Sequence, residues 1–206
     1  AGRNFVITTE RANLIAMAAV AGVEHVQAFV QVEPLHKLFN EEDLTSLTTG
    51  DYTDLSGFET GTKVMNFDSA WALGLSGQNQ VVGMADTGLD SGDSKAIHQD
   101  FTGAIRSGYA VGLYGKTWAD PMGHGTHVAG SVLGRGTASN GKLKGGAYSA
   151  QMVVQGMWSS MLNNLSVPSN LAGMFDQAYT DGARIHTNSW GSPANFGAYD
   201  KMAATV

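Results

Sequence analysis

The continuous apolar run Val81-Val82-Gly83-Met84-Ala85 constrains the fold more than any other feature of this 206-residue chain. Polar residues bound the run, and an apolar run without polar alternation is typical of a strand buried on both faces of a parallel sheet. Similar strand patterns at Gln151–Met157 and Arg184–Trp190 alternate with helix patterns at His127–Leu133 and Asn170–Asp181, and a short helix pattern at Phe67–Leu75 precedes them. This alternation predicts an α/β fold in which helices cover a parallel sheet.

Composition divides the chain ahead of this sheet. Residues 1–37 mix short strand and helix patterns, including an apolar helix pattern over Ala12–Ala21 and a strand pattern over Val26–Val32. From Asn40 to Gly61 acidic residues, Thr, Ser and Gly predominate, which predicts an exposed connector. We therefore expect a small α+β segment with its connector over residues 1–55, and one α/β domain over residues 56–206. The alternatives are an ordinary α+β appendage, and a long surface loop within a single domain.

Charge and composition exclude several classes of protein. The 12 Lys and Arg against 18 Asp and Glu give a net charge of −6. This argues against binding to nucleic acid or to an anionic membrane, because phosphate contacts need clustered basic residues. No apolar run approaches the ~18 residues of a transmembrane helix. The absence of Cys excludes a disulfide scaffold, a thiolate metal site and a cysteine nucleophile.

Asp86-Thr87-Gly88 follows the Val81–Ala85 strand, at the end of a parallel strand where such sheets place their chemistry. A carboxylate there can orient an imidazole, and Gly88 permits a sharp turn. The triplet alone is ambiguous. Aspartic proteases use it to bring together two carboxylates that share one proton, and a strand-end Asp can also simply cap the next turn.

A second, more specific motif is His124-Gly125-Thr126-His127-Val128-Ala129-Gly130. An imidazole at the start of a helix suits a general base, because its pKa lies near neutrality. The glycines and the alanine of the motif predict that the helix lies close to neighbouring backbone. His124 and His127 are three residues apart and formally allow a zinc pair, but neither a His-Glu-x-x-His sequence nor a Cys accompanies them.

Together the two motifs resemble those of the subtilisin-like serine proteases, in which Asp, His and Ser follow in that order. The resemblance runs from about Lys63 to the end of the chain, and the segment from His186 to Gly191 is similar to the oxidatively stable alkaline protease branch. It implies an incomplete, subtilisin-like α/β domain with a parallel sheet. It also implies that Asp86 orients the imidazole of His124, which takes the proton of the nucleophile.

The resemblance implies a polypeptide substrate. Ser189, Trp190 and Gly191 would pair their backbone with an extended peptide, and residues 157–165 would flank its other side. Trp190 could instead be a core aromatic residue. No cofactor is implied as a requirement; a structural calcium ion is common in the family, and the sequence identifies no ligands for one.

The segment before the connector resembles the closing strand of a subtilase propeptide. The similarity rests on Val23-Glu24-His25-Val26 and on Val32-Glu33-Pro34-Leu35-His36. In the family such segments assist folding and inhibit the enzyme. The resemblance therefore implies a zymogen, and a secreted protein.

The nucleophile of the family is not found in these 206 residues. The family places it in a Gly-Thr-Ser turn about 150 or more residues after the His. No Gly-Thr of this chain precedes a Ser, and no Gly-Asn pair offers the oxyanion Asn. We expect an inactive N-terminal part of a protease, whose partner is the missing C-terminal part of the catalytic domain. A pseudoprotease or peptide-binding module is the alternative, and the His124 motif disfavours an aspartic protease dimerising through Asp86.

Overall fold

Four parallel strands form the central sheet of the computed structural model, which describes residues 7–26, 33–34, 60–113, 115–192 and 199–206. The strands are β2 (Val81–Asp86), β3 (Ile105–Ala110), β4 (Gln151–Gly156) and β7 (Ile185–Thr187). Their order in the sheet is β3-β4-β2-β7, and every neighbouring pair is parallel. The predicted α/β class with a parallel sheet is confirmed.

Short helices and two small strand pairs accompany the sheet. The helices are α1 (Leu14–Ala18), α2 (Gly61–Val64), α3 (Phe67–Ala72), α4 (His124–Leu133), α5 (Leu171–Thr180) and α6 (Lys201–Thr205), with 3-10 turns at Arg11–Asn13 and Gln99–Phe101. The strand pairs, both antiparallel, are β1 (Glu33–Pro34) with β8 (Trp190–Gly191) and β5 (Trp158–Ser159) with β6 (Asn164–Leu165). Within the described ranges no helix is long and apolar enough to cross a membrane.

In the central strands β2 and β4, alternate residues are buried on the two faces of the sheet. In β4, Met152 and Val154 pack in a cluster with Leu133 of α4. The residue between them, Val153, packs on the opposite face with Ala178 of α5. Because helices cover both faces, every position after the first is buried in these two strands, and this produces the continuous apolar pattern of the sequence.

The structure corrects several predicted boundaries. Helix α4 begins at His124, three residues before the predicted start, because Gly123 takes a left-handed conformation with φ of 85° and ends the preceding turn. The single strand predicted over Arg184–Trp190 is wrong, since it divides into β7 and β8. Strand β3 was not predicted; it lies at the edge of the sheet and its residues are mostly half-buried, so its apolar pattern is weak.

Other predictions fall outside the residues that the structure describes. Most of the predicted connector, Asn40–Gly61, lies there, as does most of the strand pattern at Val26–Val32. Of the predicted helix at Ala12–Ala21, the structure shows the 3-10 turn and the five-residue α1. The predicted helix over Phe67–Leu75 ends earlier, at Ala72.

Both ends of α5 are fixed by polar side chains. At its N-terminus the side-chain oxygen of Asn170 accepts a hydrogen bond of 3.1 Å from the backbone of Gly173. At its C-terminus the carboxylate of Asp181 accepts from Tyr109 at 2.8 Å and from the hydroxyl of Ser107, both on β3. These two hydrogen bonds lower the pKa of Asp181, and the bond to Asp181 raises the pKa of Tyr109. They connect α5 to the edge of the sheet.

A polar network lies between the sheet and α5. The imidazole Nε2 of His186 lies 3.0 Å from Oε1 of Gln155. The amide nitrogen of Gln155 in turn donates to the carbonyl of Met174 at 2.7 Å and to Gln177 at 3.1 Å. Since an amide oxygen can only accept, Nε2 of His186 carries the hydrogen. If the imidazole of His186 is neutral, the network therefore requires the tautomer with its hydrogen on Nε2.

The ring of His186 is enclosed by close neighbours. It meets the ring of Phe175 edge-on, with centroids 4.8 Å apart. A Cβ on Gly83 of β2 would lie 2.4 Å from the imidazole, so only glycine fits below it. Burial lowers the pKa of His186 to about 4, and the neighbouring side chain of Asn188 opposes this shift only in part. The fold therefore holds this imidazole neutral at neutral pH.

The stability of the chain should fall as the pH falls from about 6.5 to 4. In this window the unfolded state protonates His186 and the folded state does not, so each pH unit costs at most about 1.4 kcal/mol from this group. Replacing His186 by Gln should flatten this part of the curve, measured by urea unfolding at several pH values. The exposed His127→Gln variant is the matched control. An unchanged pH slope in His186→Gln would contradict the assignment.

The first turn of α4 lies directly against the backbone that follows β2. A Cβ on Gly125 would lie 2.2 Å from the carbonyl oxygen of Gly88. Gly88 has φ of 140°, and a Cβ there would lie 2.3 Å from the carbonyl oxygen of Ala119. The predicted close approach is thus present at Gly125. At Gly130 neighbouring backbone also lies close, since a Cβ on Gly145 would lie 2.6 Å from the carbonyl oxygen of Gly130, but a Cβ on Gly130 itself would meet no atom within 4 Å outside its own helix.

Two Gly→Ala substitutions in α4 should have opposite effects. Gly125→Ala should destabilise the chain by about 1–3 kcal/mol, because its methyl group forces backbone apart. Gly130→Ala should stabilise it by about 0.5–1 kcal/mol through the higher helix propensity of Ala. Thermal and urea unfolding of both variants measure this. Equal effects at the two positions would show that helix propensity alone decides and that the close approach does not matter.

Candidate active site

Asp86 and His124 meet at the carboxyl end of β2. Asp86 is the last residue of β2 and is fully buried, and His124 is the first residue of α4 and is 5% exposed. Nδ1 of His124 lies 2.6 Å from Oδ1 of Asp86. A carboxylate can only accept, so Nδ1 donates the hydrogen. Nε2 then carries the lone pair that a general base uses.

Hydrogen bonds fix both the side-chain carboxylate and the backbone carbonyl of Asp86. The backbone N–H of Thr87 donates to its Oδ1 at 2.7 Å. The backbone N–H of Met157 donates to the carbonyl oxygen of Asp86 at 2.7 Å, which fixes the strand end. The other carboxylate oxygen, Oδ2, is buried and accepts no hydrogen bond from the described residues. The carboxylate is thus oriented by one oxygen, which His124 and Thr87 share.

Hydrogen bonds join the segment after β2, residues 87–90, to the segment that surrounds the start of α4, residues 118–126. Two of them use threonine hydroxyls as acceptors and two are purely backbone. They are Gly125 N–H to Thr87 Oγ1 at 2.8 Å, Asp90 N–H to Thr126 Oγ1 at 2.8 Å, Leu89 N–H to the Trp118 carbonyl at 2.8 Å and Asp120 N–H to the Asp90 carbonyl at 2.9 Å. The two halves of the Asp–His pair are therefore connected independently of their own contact.

Sequence reasoning missed Asp120 and Thr126. The carboxylate of Asp120 accepts from the backbone of Met122 and Gly123 and from both the backbone and the hydroxyl of Thr126. An available signal was the Asp-Pro pair just ahead of a helix, since Asp-Pro favours a turn and Asp is favoured at helix N-termini. The contacts to residues 87–90 had no local signal.

The predicted substrate-binding residues lie around β8, with Ser189 immediately before it. The backbone of Trp190 and Gly191 pairs antiparallel with Pro34 and Glu33 of β1. The side chain of Trp190 packs against a core cluster and donates from Nε1 to the carbonyl of Ala85 at 2.8 Å. Trp190 is thus both a core aromatic residue and, through its backbone, part of a strand pair.

Strand β1 lies between β8 and the predicted flanking region. Pro34 is fully buried, and the Cα atoms of β1 come within 8 Å of those of β6, which falls inside residues 157–165. The segment that resembles a propeptide strand therefore occupies the place at which the sequence predicted a substrate peptide. The flanking residues Leu35 and His36 lie outside the described residues.

A cavity of about 450 Å³ lies between the loop before α4 and the β5–β6 turn. Its lining is mainly apolar, with one basic residue: Gly115, Lys116, Thr117, Ala119, Pro121, Trp158, Ser160 and Met161. The loop that forms one wall leads directly into His124.

The arrangement of the histidines gives no support to the zinc alternative. His124 is buried against Asp86, whereas His127 is exposed on α4. Among the residues that the structure describes, no group of three or more His, Asp or Glu side chains could hold a metal ion. The calcium ligands that the sequence left unidentified are thus not identified there either.

Comparison with known proteins agrees with the motifs. The model of the subtilase family, Peptidase S8, matches residues 77–206. Minor extracellular protease Epr of Bacillus subtilis (strain 168) is 26% identical over 232 aligned residues, which cover 93% of this chain and 34% of Epr. The serine protease/ABC transporter B family protein tagA of Dictyostelium discoideum is 29% identical over 148 residues, covering 68% of this chain and 8% of tagA.

Further relatives extend the comparison. The major intracellular serine protease of Bacillus subtilis (strain 168) is 33% identical over 112 residues, which cover 52% of this chain and 33% of that protein. Among solved structures, fervidolysin from Fervidobacterium pennivorans, a keratinolytic enzyme related to subtilisin, is 25% identical with a TM-score of 0.45, covering 60% of this chain and 18% of fervidolysin. The chain thus spans about a third or less of these relatives. Since the family model matches more than half of it, the chain belongs to the subtilase family.

Proposed function

We propose that this chain supplies the acid–base part of a serine endopeptidase that hydrolyses peptide bonds. The single observation that carries the proposal is the buried hydrogen bond of 2.6 Å between Asp86 and His124, at the end of a parallel strand. Family membership supports the same reaction. The nucleophilic Ser and the oxyanion Asn would come from sequence outside these 206 residues, in the remaining part of the catalytic domain. The assignment of this chain to the oxidatively stable alkaline protease branch stays a prediction.

The proposed roles follow from the chemistry of the pair. Nε2 of His124 takes the proton of the serine hydroxyl as its oxygen attacks the carbonyl carbon of the scissile bond. The imidazolium that forms is stabilised by the Asp86 carboxylate, which keeps its own charge. His124 then returns the proton to the leaving amine, and an acyl-enzyme remains. Water then attacks the acyl carbon of the ester as His124 takes a proton from it, and His124 returns that proton to the serine oxygen as the acid product leaves.

Substitutions at the pair test this mechanism in the protein extended to include the proposed Ser. Asp86→Asn should lower kcat by about 10⁴, because the imidazole then loses its orienting acceptor. His124→Ala should lower kcat at least as much, and the double variant should be little worse than His124→Ala, since the residues act as one unit. Hydrolysis of a chromogenic peptide measures this, with the exposed His127→Ala as the control.

Two results would contradict the proposal. One is near-normal activity in His124→Ala, which would place the general base elsewhere. The other is a coding sequence with no Gly-Thr-Ser turn after this segment, which would favour a pseudoprotease or a peptide-binding module. Labelling of the extended protein by a serine-directed phosphonate, which requires an activated Ser, gives an independent measurement.

We further propose that residues 1–55 are the remainder of a propeptide with its connector, and that β1 inhibits the enzyme by occupying the substrate site. The support is the antiparallel pairing of Glu33 with Gly191 and of Pro34 with Trp190, together with the complete burial of Pro34. An extended peptide that adds to a strand edge binds through main-chain hydrogen bonds and side-chain pockets. A substrate would bind Ser189, Trp190 and Gly191 in the same way.

A peptide with the sequence of residues 30–36 should therefore inhibit the extended, processed enzyme competitively. Methylation of the backbone nitrogen of Glu33 should weaken inhibition at least about tenfold, because it prevents strand pairing at the residue opposite Gly191. Inhibition constants for the two peptides, and for a scrambled peptide of the same composition, measure this. Equal inhibition by all three would show that β1 does not act as a strand.

Extracellular action is the remaining part of the proposal. The name of Epr describes an extracellular protease, and the name of another relative describes an intracellular one, so the family itself permits both. Protease activity in the medium of intact producing cells, with little activity in their lysate, would support secretion. Activity found only in the cell lysate would contradict it.

A further inference from the structure

One carboxylate organises the start of the helix that carries His124. Oδ1 of Asp120 accepts from the backbone N–H groups of Met122 and Gly123, at 3.1 and 2.9 Å. Oδ2 accepts from the backbone N–H and the hydroxyl of Thr126, at 2.8 and 2.6 Å. The four donors lie on both sides of His124 in the chain. Asp120 thus fixes the backbone immediately before and immediately after the proposed base.

Asp120 performs the capping that the N-cap residue of α4 cannot perform. The N-cap is Gly123, which has no side chain and makes no side-chain hydrogen bond to the helix. The first N–H groups of a helix have no partner within the helix, and a carboxylate there is also favoured by the helix dipole. Asp120 satisfies two of these groups, those of Gly123 and Thr126. The start of the helix therefore depends on a side chain that lies outside it.

Thr126 connects this arrangement to the strand that carries Asp86. Its hydroxyl donates to Asp120 and accepts from the backbone N–H of Asp90 at 2.8 Å. The backbone N–H of Asp120 donates to the carbonyl of Asp90 at 2.9 Å. Asp90 lies four residues after Asp86 in the segment that leaves β2. A closed ring of three hydrogen bonds thus joins Asp90, Thr126 and Asp120.

We propose that Asp120 and Thr126 are positioning residues for the reaction, holding His124 at hydrogen-bond distance from Asp86. Neither touches the reacting atoms; both act through the backbone on either side of His124. The effect of these two residues on the reaction rate rests on the proposed function, whereas their effect on the contact between His124 and Asp86 rests on the geometry alone. A shift of about 1 Å in a catalytic group can lower a rate about 10²-fold.

The first test uses the hydroxyl of Thr126, in the protein extended to include the proposed Ser. Thr126→Val keeps the shape of the side chain and removes both hydrogen bonds of the hydroxyl. It should lower kcat about 10- to 100-fold and leave KM within about threefold. Thr126→Ser restores the hydroxyl and should restore kcat. Thr180→Val is the matched control, since it removes a threonine hydroxyl that bonds a helix carbonyl far from the site.

The second test uses the 206-residue chain itself and needs no activity. The hydrogen between Nδ1 of His124 and Asp86 should give a strongly downfield proton resonance in ¹⁵N-histidine-labelled protein. In Thr126→Val and in Asp120→Asn this resonance should broaden or disappear through exchange with water. It should persist in Thr126→Ser and in Thr180→Val. Circular dichroism and the resonance of the buried His186 verify that each variant is folded.

The two readouts separate the two proposals. Loss of the His124 resonance in folded Thr126→Val, without protease activity in any form, would keep the positioning role and overturn the proposed function. A resonance and a kcat that both survive Thr126→Val would overturn the positioning role and leave the proposed function intact. If Thr126→Val does not fold, Asp120→Asn decides in the same way. A kcat that is as low in Thr126→Ser as in Thr126→Val would also overturn the positioning role.

Discussion

The close approach of two backbone segments is the constraint on which the proposed site depends. The chain after β2 and the first turn of α4 touch at Gly88 and Gly125, where neither residue could carry a Cβ without a clash. This contact brings His124 against Asp86, which is fully buried. An ionised carboxylate is costly to bury unless it is hydrogen-bonded, and the imidazole and the backbone of Thr87 supply those bonds. Gly88 and Gly125 therefore allow the close approach that supplies the buried carboxylate of Asp86 with its hydrogen-bond partner His124.

Sequence reasoning predicted the parts of the site that local pattern determines. The apolar run identified β2 because helices cover both faces of the sheet, and the two motifs identified Asp86 and His124. It did not find β3, whose edge position leaves most of its residues half-buried. It did not find Thr126 as a partner of Asp90 either, because 36 residues separate them and no local pattern records such a contact. It did not show which glycine is needed for the close approach near the end of α4, where a Cβ would clash on Gly145 but not on Gly130.

The position of β1 gives the proposed inhibition a physical basis. A strand edge such as β8 binds any extended backbone of suitable shape, and β1 belongs to the same chain as β8. An intramolecular ligand acts at an effective concentration that its connecting segment sets and that can far exceed the concentration of a free peptide. A substrate in solution competes poorly with such a ligand. Cleavage of the connecting segment would convert β1 into a dilute, dissociable peptide and so release the edge.

Under the proposed function, Trp190 would connect the binding of a peptide to the orientation of Asp86. Its backbone belongs to the strand edge, and its indole donates to the carbonyl of Ala85, the residue that precedes Asp86. Met157, at the start of the flanking region, donates its backbone N–H to the carbonyl of Asp86 itself. Both sides of the proposed substrate site are therefore hydrogen-bonded to the same strand end. An extended peptide that orders either side would, through these two bonds, also order the carboxylate that orients His124.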